Sequence, residues 1–117
     1  MRTYVRTALE DGGMFEVTEA ANGFEALRLL PRERYDVVVT DINMPDIHGL
    51  ELLSFMRKSE IHARTPVVIV STEGALRDRE RGMALGANAY VTKPFEPEAL
   101  RETVRRVLRG AATSDRE

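Results

Sequence analysis

The sequence predicts an α/β fold, a parallel β-sheet with helices on both faces. Three observations carry this reading. Tyr35–Thr40 and Pro66–Ser71 are nearly unbroken Val-rich runs, the pattern of strands covered on both sides. Stretches with apolar residues at helical spacing lie between such runs and give the order αβαβαβαβα, which feeds a parallel sheet through crossover helices. Proline and glycine stand at the seams, at Gly12-Gly13, Pro31, Gly49, Gly86 and Pro97, where helices stop or begin.

Residues 2–10 place Val5, Ala8 and Leu9 on one helical face, and Gly12-Gly13 stops that helix. Phe15–Ala20 alternates like a strand. Asn22 can cap a helix over Gly23–Leu30 with Phe24, Leu27 and Leu30 as its inner stripe, closed by Pro31. Residues 49–58 read as a helix through Leu50, Leu53 and Met56. Residues 75–85 read as a charged helix anchored by Leu76, Met83 and Leu85 and closed by Gly86. Ala89–Thr92 is a short strand. Pro97 suits the first turn of a last helix, with Leu100, Val104, Val107 and Leu108 inward. Arg101, Arg105, Arg106 and Arg109 fall on its outer side and toward its C-terminus, where the macrodipole favours them. Residues 1–110 form one domain, and 111–117 read as a polar tail.

Composition narrows the function. Net charge is −2, from 17 Lys and Arg against 19 Asp and Glu. This speaks against a nucleic-acid or membrane-surface role, which needs a basic excess. The absence of cysteine excludes thiol catalysis, disulfides and thiolate metal sites. The two histidines, His48 and His62, make no zinc motif. His48 reads as a surface-loop residue, with a metal role as the lesser alternative, and His62 as solvated. No apolar run spans a bilayer and no signal peptide is visible, so a cytoplasmic location is the expectation.

In parallel sheets the working groups sit beyond the carboxyl ends of the strands. Asp41, Ser71 and Lys93 stand at three such ends. A carboxylate there can act as nucleophile, base or metal ligand. A lysine and a hydroxyl suit phosphoryl oxygens. Read singly, each has an ordinary structural alternative: Asp41 a turn-starting acid before Pro45, Ser71 a strand-end residue, Lys93 a solvated lysine. Together they fit an acyl phosphate on the carboxylate.

The motifs TDINMPDIHGLELL, PVVIVSTEG and GANAYVTKPF, in that order, resemble the receiver domains of bacterial response regulators. The resemblance covers essentially the whole chain and implies a flavodoxin-like (CheY-like) sheet of order 2-1-3-4-5. It implies that Asp41 is phosphorylated by a histidine kinase and that Ser71 is the switch hydroxyl. Lys93 takes the place of the family's lysine, with a cis peptide before Pro94. Tyr90 takes the place of the aromatic whose rotamer reports phosphorylation. Asn43 would offer its carbonyl to Mg²⁺ beside Asp41, and Thr72 and Glu73 would tune dephosphorylation.

One part of the family pattern is missing. Receivers open with an apolar strand followed by a pair of acids that hold Mg²⁺. Counted back from Asp41, that pair falls before Met1. Glu10-Asp11 is an acid pair at the wrong end of a helix. The expectation is therefore an N-terminally truncated receiver without its central first strand. Mg²⁺ binding and phosphorylation should be weak. Phe15–Ala20 should either close up against Tyr35–Thr40 or leave the edge to a homodimer, unless Met1 is an internal residue of a longer, fully competent receiver.

Three functions compete. The first is a single-domain response regulator, taking phosphate from a sensor histidine kinase or phosphotransfer protein. Its target would dock on residues 75–85, Tyr90 and the final helix. The second is a pseudo-receiver, a phosphorylation-independent binding or dimerisation module. The third is an Asp-nucleophile phosphatase or dehalogenase, whose usual D-x-D is interrupted by Asn43. A receiver is no enzyme beyond phosphorylating and dephosphorylating itself.

Overall fold

The computed structural model describes residues 9–10, 15–41, 46–72, 76–93 and 96–115. Leu9 and Glu10 are helical. The elements that follow are α1 (Gly23–Leu29), a 3₁₀ turn (Leu30–Arg32), β1 (Val38–Asp41), α2 (Gly49–Lys58), β2 (Val67–Thr72), α3 (Leu76–Leu85), β3 (Ala89–Lys93) and α4 (Pro97–Asp115). The strands form a parallel sheet of order β1-β2-β3 among the described residues. β2 is central, and Val67, Val68, Ile69 and Val70 are fully buried, as its unbroken apolar run requires. α4 includes residues 111–115, read above as tail.

Two apolar layers cover the sheet. On one face Val67 and Ile69 meet Leu50, Leu52, Leu53 and Met56 of α2, with Ala26 and Leu27 of α1, Leu30 of the 3₁₀ turn and Ala87. On the other, Val68 meets Leu9 and the stripe Leu100, Val104 and Val107 of α4. Arg101, Arg105 and Arg109 of α4 form ladders with Glu98 and Glu102 on its outer side.

Four expectations need correction. Phe15–Ala20 is not a strand: it pairs neither with β1 nor with any other described residue in a ladder. Phe15 and Val17 instead pack as side chains against the α4 cluster. Phe24 is 61 % exposed, because the inward positions of α1 are Gly23, Ala26, Leu27 and Leu30, and Phe24 lies one step round the helix. Met83 and Leu85 are largely exposed. α3 seats its backbone on the sheet through buried Gly82, where a Cβ would stand 2.8 Å from Ile69 Cδ1 and 3.5 Å from Leu50 Cδ2. Leu76 has no described side-chain environment.

His62 is the fourth correction: it is buried rather than solvated. Its Nε2 donates to the Leu30 carbonyl at 2.7 Å; a carbonyl only accepts, so this nitrogen carries the proton. Nδ1 then accepts from the Thr65 hydroxyl at 2.9 Å, and the ring stacks on Tyr35. A polar ring with both nitrogens partnered can be buried without penalty. Arg57, at the end of α2, makes a second knot beside it. Its guanidinium donates to the carbonyls of His62, Ala63, Thr65 and Gly86 and to Asn88 Oδ1. Gly86, at φ +107°, closes α3 under that side chain, and a Cβ there would come within 2.9 Å of Arg57 Nε.

Candidate functional site

The sheet register brings the predicted strand-end residues together. Asp41 is the last residue of β1 and lies opposite Val70 of β2. Ser71 lies opposite Thr92, and Thr72 opposite Lys93, the last residue of β3. Asp41, Ser71 and Lys93 therefore cap three adjacent parallel strands at one end of the sheet, where such folds place their chemistry. Asp41 is half-buried, and the Thr40 hydroxyl donates to its main-chain carbonyl at 3.0 Å. Ser71 is 1 % exposed. Asn43, Glu73 and Pro94 lie outside the described residues.

Strand parity separates the roles. Ser71 follows Val67 and Ile69 onto the face covered by α2 and α3, and Tyr90, opposite Ile69, shares it. Asp41 follows Val37 and Val39 onto the α4 face. The Tyr90 hydroxyl is buried, and among the described residues it has no hydrogen-bond partner. A buried orphan hydroxyl is uncommon and costs free energy.

The segment after Asp41 is fastened in a way the sequence reading missed. Asp46 accepts from the main-chain N–H of Gly23 at 3.0 Å and of Phe24 at 2.9 Å. These bonds, the one from Phe24 foremost, hold its carboxyl below the usual carboxylate range. Asn22 caps the same helix start by accepting from Glu25 N–H, and Ile47 packs directly on Gly23. His48 stands in the connection before α2 and has a structural role there. Its Nδ1 caps α2 by accepting from Leu50 N–H at 3.2 Å. Asp41 is thus tied into the sheet, Asp46 to α1 and His48 to α2. The polar residues around Gly23 and Gly49 were the available signal.

The sequence matches the response regulator receiver domain over residues 1–105. A chemotaxis protein CheY homolog of Campylobacter jejuni is 37% identical over 109 residues, covering 92% of this chain and 84% of that protein. Response regulator Rre1 of Synechocystis is 37% identical over 116 residues, and a probable transcriptional regulator, ycf29, of Porphyra purpurea is 37% identical over 94. The chain spans 50% and 45% of the length of those two proteins. Among solved structures, the chemotaxis response regulator CheY4 of Vibrio cholerae superposes with TM-score 0.83 at 38% identity, over 91% of this chain and 88% of that one. This agreement extends over the strand ends and the helices that flank them. The chain belongs to the response regulator receiver domain family, signalling modules of two-component systems rather than classical enzymes.

Proposed function

We propose that the chain acts as a response regulator receiver with Asp41 as its phospho-acceptor. The observation that supports this most is the convergence of Asp41, Ser71 and Lys93 on adjacent strand ends. A carboxylate oxygen of Asp41 attacks the phosphorus of a phosphohistidine on a sensor kinase or phosphotransfer protein. The new P–O bond forms as the P–N bond breaks, and the imidazole leaves with the electron pair. The Lys93 ammonium offsets charge on the phosphoryl oxygens, and the Ser71 hydroxyl hydrogen-bonds one of them. Thr72 and Glu73 are the residues that would tune the later cleavage of the acyl phosphate by water. Ser71 moving toward the phosphoryl group frees space for Tyr90 to take a second position. The target would read this on the face made by α3, Tyr90 and α4, where Met83 and Leu85 are exposed.

Receiver domains generally use Mg²⁺, which neutralises phosphoryl charge when bound. Among the described residues no three Asp, Glu, His or Cys side chains gather, so Asp41 and the Asn43 carbonyl are the protein ligands the sequence offers the ion. Asp41 and the Asn43 carbonyl fall short of the oxygen donors an octahedral ion takes. That deficit favours a second reading, a pseudo-receiver that binds partners without phosphorylation.

Incubation with acetyl phosphate or phosphoramidate and Mg²⁺, read by intact mass, decides between them. The expected result is a slow, substoichiometric phosphoryl adduct that disappears in Asp41→Asn and falls in Lys93→Ala. An adduct surviving in Asp41→Asn refutes the assignment. No adduct in the wild-type chain transfers the function to the pseudo-receiver.

A further inference from the structure

Asp46 follows Asp41 closely in sequence, yet the reaction proposed above gives it no part. Its carboxylate is committed to α1. Oδ1 accepts from Gly23 N–H at 3.0 Å and Oδ2 from Phe24 N–H at 2.9 Å. The Asn22 side chain takes the next donor, Glu25 N–H. Asp46 and Asn22 together therefore satisfy the three main-chain donors that follow the cap, which the helix itself leaves without partners. A carboxylate that uses both oxygens on successive N–H groups is fixed in direction as well as in place. Packing adds to this hold, since Ile47 lies directly over buried Gly23. Asp41 is held from the other direction. It ends β1 in register with Val70, and its main-chain carbonyl accepts from the Thr40 hydroxyl. Four residues separate the two acids.

We propose that Asp46 is a positioning residue for phosphoryl transfer to Asp41. It acts through the chain rather than on the phosphoryl group. By fixing the point to which the chain runs after Asp41, it fixes the direction in which the Asp41 carboxylate is presented. The inference rests on the reading of Asp41 as the phospho-acceptor. Phosphoryl transfer asks a protein for placement and charge and for little else. A misplacement of about 1 Å can cost about a hundredfold in rate. Loss of the Asp46 anchor leaves Asp41 in its ladder with β2, so the expected loss is smaller, about tenfold.

The test uses the full chain with phosphoramidate and Mg²⁺ and reads the initial rate of adduct formation by intact mass. A carboxylate oxygen of Asp41 attacks phosphorus, the P–N bond breaks, and ammonia leaves with its electron pair. Asp46→Ala should slow this step about tenfold. Asp46→Asn keeps one acceptor oxygen, because an amide nitrogen only donates. It should recover part of the loss and react about threefold more slowly than wild type. Arg57→Ala is the control for lost stability. Arg57 bonds Thr65 and Asn88, at the ends where β2 and β3 begin, so its loss should lower Tm and leave the rate unchanged. Amide exchange at Gly23 and Phe24 should quicken in Asp46→Ala. Circular dichroism checks that each variant is folded; if Asp46→Ala is not, Asp46→Asn against Arg57→Ala decides alone. The proposal is overturned if the folded Asp46 variants react at the wild-type rate, if Arg57→Ala slows as much as they do, or if Asp46→Asn recovers nothing relative to Asp46→Ala. A wild-type chain that forms no adduct at Asp41 overturns the reading of Asp41 itself, and this proposal with it.

Discussion

Gly23→Ala measures how tightly the segment after Asp41 is fastened to α1. An added Cβ would overlap Ile47 Cγ2 and stand 3.0 Å from Ile47 Cβ and 3.2 Å from Asp46 Oδ1. No side-chain rotation of Ala can relieve this, so Ile47 must move and Asp46 with it. Overpacking of this kind costs about 1–3 kcal/mol. The Asp46 bonds to Gly23 and Phe24 weaken in addition. Alanine returns at most about 1 kcal/mol of helix propensity, and less at a first-turn position. The net expectation is a loss of about 2 kcal/mol, or roughly 8 °C in Tm for a domain of this size. Urea titration of four proteins gives the decisive reading: wild type, Gly23→Ala, Ile47→Ala and the double variant. Ile47→Ala removes the clashing Cγ2, so the double variant should recover about 1 kcal/mol relative to the sum of the single losses. Relief is incomplete because the Ile47 Cβ contact stays. Strict additivity, or a Gly23→Ala protein as stable as wild type, refutes the clamp.

Three further outcomes follow from single side chains. Arg57→Ala should lose about 2–3 kcal/mol in chemical denaturation, since carbonyls of two turns and Asn88 lose their donor together; Arg57→Lys should recover little, because an ammonium cannot span the same fork. His62→Ala should cost about 3 kcal/mol by opening a cavity and orphaning the Leu30 carbonyl. Asp46, Glu98 and Glu102 all titrate below their ordinary values, Asp46 through main-chain N–H groups and the glutamates through α4 arginines. Their stabilisation is full above the ordinary carboxylate range and is lost as pH falls through the lowered native values. Asp46→Asn should therefore make Tm less sensitive to pH in that acid range while leaving the slope near neutrality unchanged.

The strands and the strand-end site were legible because hydropathy and chain order suffice for them. A four-residue buried run such as Val67–Val70 has one comfortable place, the centre of a parallel sheet, and Ser71 follows from it. What escaped the sequence reading shares a different physical origin. On α1 and α3 the inward positions are held by glycines, Gly23 and Gly82, which bury backbone against Ile47 and Ile69 and carry no hydropathy signal. The eye then assigns the inner face to the nearest large residue, Phe24 or Met83, and both are exposed. Polar residues fail in the opposite sense. His62, Arg57 and Asp46 look solvated in sequence, since burial or anchoring depends on partners far along the chain: Leu30 for His62, Gly86 and Asn88 for Arg57, Gly23 for Asp46. Only the fold brings those partners within reach, and once it does the desolvation cost is met by hydrogen bonds. The absence of a ladder at Phe15–Ala20 belongs to the same class. Alternation shows that a segment can be a strand, but pairing needs a neighbour, and among the described residues no strand pairs with Phe15–Ala20.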